Sequence, residues 1–125
     1  MATLTPRYGV GVHASNTGAS HSYDFINASA VSATVSVTPN ASETTISMDG
    51  ITQATTLNLV VTSCVAGDKL NLMLKGDATG RTVTLGTGLL GSATTVVLPS
   101  GTKRANLSFV FNGTNFGECS RVILP

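Results

Sequence analysis

The chain has 125 residues and a formal net charge of +1, which is room for one domain and too little charge for electrostatic steering toward nucleic acid or an acidic bilayer. Only 10% of its residues are charged, against roughly 25% in an ordinary soluble domain, so it is expected to hide surface in a membrane or against other protein. The membrane fits poorly: no stretch nears the ~18 apolar residues of a spanning helix, and two Tyr, four Phe and no Trp leave a transmembrane barrel without its aromatic girdles.

Residues 1–40 read as an extended N-terminal arm with one or two short strands. No basic run followed by an apolar block opens the chain, so no secretory signal is expected. Segments 7–14 (RYGVGVHA) and 30–38 (AVSATVSVT) suit short strands, and residues 15–22 between them hold no bulky apolar group. Such an arm frays in a lone domain and crosses to a neighbour in an assembly. A soft boundary falls at Pro39–Asn40.

Residues 41–125 read as an antiparallel β domain. Helix formers are scarce, and Thr, Val, Ser, Gly and Asn dominate. Apolar residues alternate at Ile46 and Met48, at Leu57, Leu59 and Val61, and at Leu70, Leu72 and Leu74. Val83 and Leu85 continue the pattern, followed by 94–99 (TTVVLP), by Leu107, Phe109 and Phe111, and by Phe116 and the closing RVIL. Period-two alternation buries one face of each strand. The expected core is Leu57, Leu59, Leu70, Leu72, Leu74, Val83, Leu85, Val96, Leu107, Phe109, Phe111 and Ile123. Turn residues punctuate the strands at 66–68, 76–80, 86–91 and 99–101. Asn112-Gly113 lies between two apolar runs, the pairing that predicts a type I′ hairpin with positive φ at both residues. Strands at this spacing suggest an antiparallel sandwich or jelly roll. No fixed internal period is visible.

Chemistry-bearing groups are few, and no catalytic, cofactor or metal site is expected. His13, His21 and Asp24 fall within twelve residues, but in a Gly/Ser-rich segment that would not orient them as metal ligands. No GxSxG elbow occurs, Cys64 and Cys119 lack metal spacing, and the acids sit mostly at turns. The glycine-rich loops precede no helix that would cradle a phosphate. Lys103-Arg104, the only adjacent basic pair, lacks an aromatic platform for single-stranded nucleic acid. Without a secretory signal the default for the two cysteines is free thiols, with a disulfide as the alternative if the strands that carry them are neighbours.

Val65 to Glu118 resembles a β-rich module of bacteriophage virion proteins, tail-fibre, head-fibre and capsid-decoration proteins above all. The residues that carry the likeness are AGDKLNLMLKGDATGRTVTLGTGL (66–89) and KRANLSFVFNGTNFGE (103–118), with Phe116 where Trp is more usual. The resemblance implies a trimer-forming, non-enzymatic structural protein of the virion, assembled in the bacterial cytoplasm. As a capsid-decoration or head-fibre subunit it would form a homotrimer and dock through its arm on the major capsid protein or another virion protein. Leu70, Leu72, Leu74, Leu107, Phe109 and Phe111 would make the core or oligomer contact, with Asn112 and Gly113 at the hairpin. The alternative is a tail-associated or adhesin-type module that binds a cell-surface glycan, for which Tyr8, Tyr23 and Phe116 are the aromatic candidates.

Overall fold

A computed structural model describes residues 21–28 and 33–124. Among them are ten strands and no helix. They are β1 (Tyr23–Asn27), β2 (Thr34–Val37), β3 (Glu43–Ile51), β4 (Thr55–Leu59), β5 (Lys69–Gly76), β6 (Arg81–Leu85), β7 (Leu89–Leu90), β8 (Thr95–Leu98), β9 (Arg104–Phe111) and β10 (Phe116–Leu124). They form a six-stranded sheet in the order β1-β3-β5-β9-β10-β7 and a four-stranded sheet in the order β2-β4-β6-β8.

The chain alternates between the two sheets. β1 and β2 make a first rung, β3 and β4 a second, β5 and β6 a third. Each rung lies parallel on the one before, both along β1-β3-β5 and along β2-β4-β6. Direction reverses only afterwards: β8 is antiparallel to β6, β9 to β5 and β10 to β9. The molecule is thus a short solenoid-like stack closed by antiparallel strands. The expected all-β, two-sheet character holds, but the expected antiparallel pairing is confined to β8, β9 and β10 and their neighbours. The physical reason is that alternation reports which side chains point inward, and an inward row is the same whichever way the strand runs. Parallel neighbours need a crossover, and here the crossover is a strand of the opposite sheet.

The rungs also differ in length. Tyr23 pairs with Glu43 and Glu43 with Lys69, steps of 20 and then 26 residues, so the stack leaves no fixed period in the sequence. β1 and β2 fall within residues 1–40, where one or two short strands were expected, and both pair into the sheets. Residues 1–20, with the segment 7–14 and His13, lie outside the described residues.

The core fills the space between the sheets. Inward side chains meet in register across β3, β5 and β9, as Ile46–Leu72–Leu107 and Met48–Leu74–Ala105. Val35–Leu57–Leu85 makes the corresponding row on the other sheet. All of these are buried, and each fully buried Leu contributes about 1.5–3 kcal/mol. Of the expected core only Ile123 is exposed, at 39%: its strand β10 is the last long strand of its sheet, and its C-terminal end is covered by no further strand. Phe116, on the same strand, is buried against Phe111 with ring centroids 5.0 Å apart.

Two turns show why the sequence bends where it does. At the β9–β10 hairpin only Gly113 has positive φ, so the loop is not type I′. It runs over four residues, and the Asn112 side-chain oxygen instead accepts the backbone N–H groups of Thr114 (2.8 Å) and Asn115 (2.9 Å), an Asx-type closure. Gly88, between β6 and β7, has φ +85, and a Cβ there would lie 2.9 Å from the Leu59 carbonyl oxygen. Gly88→Ala is therefore expected to cost about 1–3 kcal/mol in urea unfolding. Thr44 carries the opposite kind of defect. Its hydroxyl is buried and meets no hydrogen-bond partner among the described residues. Thr44→Val removes an unpaired polar group at little change of shape and is expected to stabilise by about 1 kcal/mol, read as a higher Tm.

Candidate binding face

The outward side chains of the six-stranded sheet form an ordered surface. Strand register sorts them into rows. One row runs Phe25–Thr45–Asn71–Ser108–Ser120 across β1, β3, β5, β9 and β10. The next runs Asn27–Ser47–Met73–Asn106–Val122 across the same strands. Neither row contains a charge. The charged residues stand at the two ends of the face, Glu43 and Lys69 at one and Lys75 and Arg104 at the other.

Over the middle of the face lies a shallow hollow of ≈ 400 Å³, lined among others by Tyr23, Phe25, Asn71, Met73, Asn106 and Val122. Tyr23 and Phe25 are 59% and 54% exposed. They project on the same side because they are two apart on β1. The Tyr23 hydroxyl donates to Thr45 Oγ1 at 3.1 Å, which ties the ring across to β3 while leaving it open to solvent. Ser108 and Ser120 share a 2.7 Å hydrogen bond between their hydroxyls. Asn71 Nδ2 donates to Glu43 Oε2 at 3.1 Å, which fixes the amide at the charged end.

The residues singled out in the sequence fall elsewhere. Leu70, Leu72, Leu74, Leu107, Phe109 and Phe111 lie on the inward sides of β5 and β9 and are buried within one chain, beneath the face rather than on it. Of the aromatic candidates, Tyr23 is on the face, Phe116 is in the core, and Tyr8 lies outside the described residues. Phe25 was not anticipated, although its spacing from Tyr23 in YDFIN was the signal. His21 Nε2 is 3.7 Å from Glu43 Oε1, and Asp24 is exposed on β1. Among the described residues no three His, Cys, Asp or Glu side chains gather as metal ligands. Both cysteines are free thiols, Cys64 half-buried and Cys119 exposed at a bulge in β10. Asp68, of the 66–68 turn, is buried and accepts the Val65 N–H at 2.9 Å, which closes the turn that starts β5.

No family model matches the chain, and no curated protein is significantly similar to it.

Two ion pairs hold the loops around the sheets. Arg81 grips Asp77 through Nε and Nη2 (Oδ2 at 2.8 Å from Nη2), and this bonding, with the Thr79 N–H, holds the Asp77 carboxyl below its usual range. Burial alone would push the Glu118 carboxyl up. Arg121, at 2.8 and 2.9 Å, and the Ser92 N–H and hydroxyl overcome that and hold it low. Arg121 also donates to the carbonyls of Thr95 (2.7 Å) and Ala93 (3.1 Å), so one ion pair pins the β7–β8 loop against β10. A carboxylate whose pKa is lower folded than unfolded stabilises above the unfolded value, and that contribution is lost as pH falls through the folded one. Stability is therefore expected to fall below pH about 4. Glu118→Gln should flatten that fall in urea titrations while costing about 1–2 kcal/mol at neutral pH.

Proposed function

We propose that the protein is a structural subunit of a bacteriophage virion, a capsid-decoration or head-fibre protein that works as a homotrimer. It would assemble in the host cytoplasm and dock on the major capsid protein or another virion protein through the segment that precedes the first rung. It performs no catalysis in this role.

The observation that carries the assembly reading is the outer face of the four-stranded sheet. Thr34, Thr56, Thr84 and Thr95 stand in register across β2, β4, β6 and β8. Beside them lie Ser36–Asn58 and Thr82–Val97, with Val97 59% exposed. No outward position on these four strands is charged. Uncharged side chains cost less to dehydrate than charged ones, and interface cores are depleted of charge. A monomer gains nothing from such a face, whereas a closed three-fold arrangement covers it on every copy. The low overall charge and the likeness of Val65–Glu118 to phage virion modules support the same reading.

Native mass measurement at micromolar concentration should give three chains. Thr84→Arg combined with Val97→Asp sets charges in the middle of the face and should yield a folded monomer with an unchanged far-UV CD spectrum. A monomeric parent protein, or a trimer that survives both substitutions, overturns the reading. Attachment to the particle is checked separately by co-purification with virions before and after removal of residues 1–20.

A further inference from the structure

The outward face of the six-stranded sheet, opposite the surface assigned above to self-association, has a chemistry of its own. We propose that the Tyr23–Phe25 hollow is a binding site for a neutral oligosaccharide.

The argument begins from what a sugar offers. A pyranose has an apolar C–H face and a rim of hydroxyls, each both donor and acceptor. A receptor for it needs an exposed ring, whose electron-rich face meets the C–H groups, and uncharged hydrogen-bonding groups close by. Tyr23 and Phe25 are more than half exposed, and they stand side by side on one edge of the hollow. The Tyr23 ring is held by its hydroxyl on Thr45, so it loses little freedom when a ligand stacks on it. Past the rings lie the amides of Asn71 and Asn106 and the hydroxyls of Ser108 and Ser120. The Ser108–Ser120 bond uses only part of each hydroxyl's hydrogen-bonding capacity.

Charge and length narrow the ligand. The two central rows carry no cation, so nothing there would hold a phosphate, a sulfate or a carboxylated sugar. Cations stand at the row ends, Lys69 beside Glu43 at one and Lys75 and Arg104 at the other, where Lys75 has Asp49 at 3.9 Å. Strands about 4.8 Å apart put Phe25 and Ser120 about 19 Å from each other, the span of a short oligosaccharide rather than of one sugar. A second copy of this chain would be the other occupant to consider, but a row of amides and hydroxyls around a hollow is costly to desolvate against a flat protein surface. A ligand rich in hydroxyls replaces the lost water bonds one for one.

The test uses the full chain and titrates neutral hexasaccharides of glucose, mannose, galactose and N-acetylglucosamine, with heparin and polysialic acid as charged comparators. Binding to at least one neutral series is expected in the range of about 0.01–1 mM, insensitive to salt. Tyr23→Ala and Phe25→Ala should each weaken it by about tenfold at unchanged Tm, and Thr84→Arg on the opposite sheet should leave it alone. Tyr23→Phe, which keeps the ring and drops its tether, should lose less than Tyr23→Ala. No binding to any neutral hexasaccharide overturns the proposal. So does binding confined to the charged comparators, or an affinity in both alanine variants equal to that of the parent protein. Loss of the trimer in Phe25→Ala would assign the face to a second copy and overturn it as well. Because the oligomer test rests on Thr84 and Val97, failure here leaves the assembly reading standing, and failure there leaves this one.

Discussion

Register between successive rungs is the constraint on which the rest of this molecule depends. Each of β3 and β5 takes its place from the strand of the preceding rung, and the hydrogen-bond ladder admits only one alignment that keeps Ile46, Leu72 and Leu107 in one inward row. A slip of one residue would turn that row outward and bring Thr45, Asn71 and Ser108 into the core. Burying those three polar groups without partners would cost about 2–7 kcal/mol each, comparable to the whole stability of a domain this size. Leucine rows and ladder therefore enforce each other. The antiparallel β9, laid on β5 after the third rung, ends the parallel series and contributes the aromatic end of the core, Phe109 and Phe111.

The same alignment that stacks the core lines up the outside. Because successive side chains alternate between faces, an in-register inner row requires in-register outer rows on both sides of it. On the six-stranded sheet this yields two uncharged rows five strands wide, and on the four-stranded sheet the threonine row from Thr34 to Thr95. Charged residues of the larger sheet sit at the row ends, and its last long strand, β10, is locked to the β7–β8 loop by Glu118 and Arg121. Both uncharged surfaces are thus consequences of one register.

Much of the inward pattern was legible in the sequence, because burial writes a period of two into each strand. Leu57 and Leu59, the Leu70–Leu74 set and the Leu107–Phe111 set are all in the core. Strand direction was not legible, since the alternation is blind to it and the rungs of 20 and 26 residues show no common period. Ile123 was misread because its strand has the right pattern but no neighbour to cover its C-terminal end. The Asn112-Gly113 pair did mark a hairpin, yet its chemistry is an Asx closure over four residues, a distinction that depends on the geometry of the flanking Phe111 and Phe116 pair. The candidate face was harder still. Phe25, Asn71, Asn106 and Ser120 come from four strands distant in sequence, and only the pairing brings them together.

The unequal rungs have a practical consequence. The third rung starts six positions later than the spacing of the first two would place it, and the strand ladder takes no notice. Four of the six lie in the stretch between Leu59 and Lys69, where the chain passes from one sheet to the other, and two lie between Glu43 and Leu59. Lengthening such a connector adds only about 0.6 kcal/mol of closure entropy for each doubling. Val61 and Cys64 in that corner pack on the core, so added length is tolerated best at the exposed Thr62 and Ser63 between them.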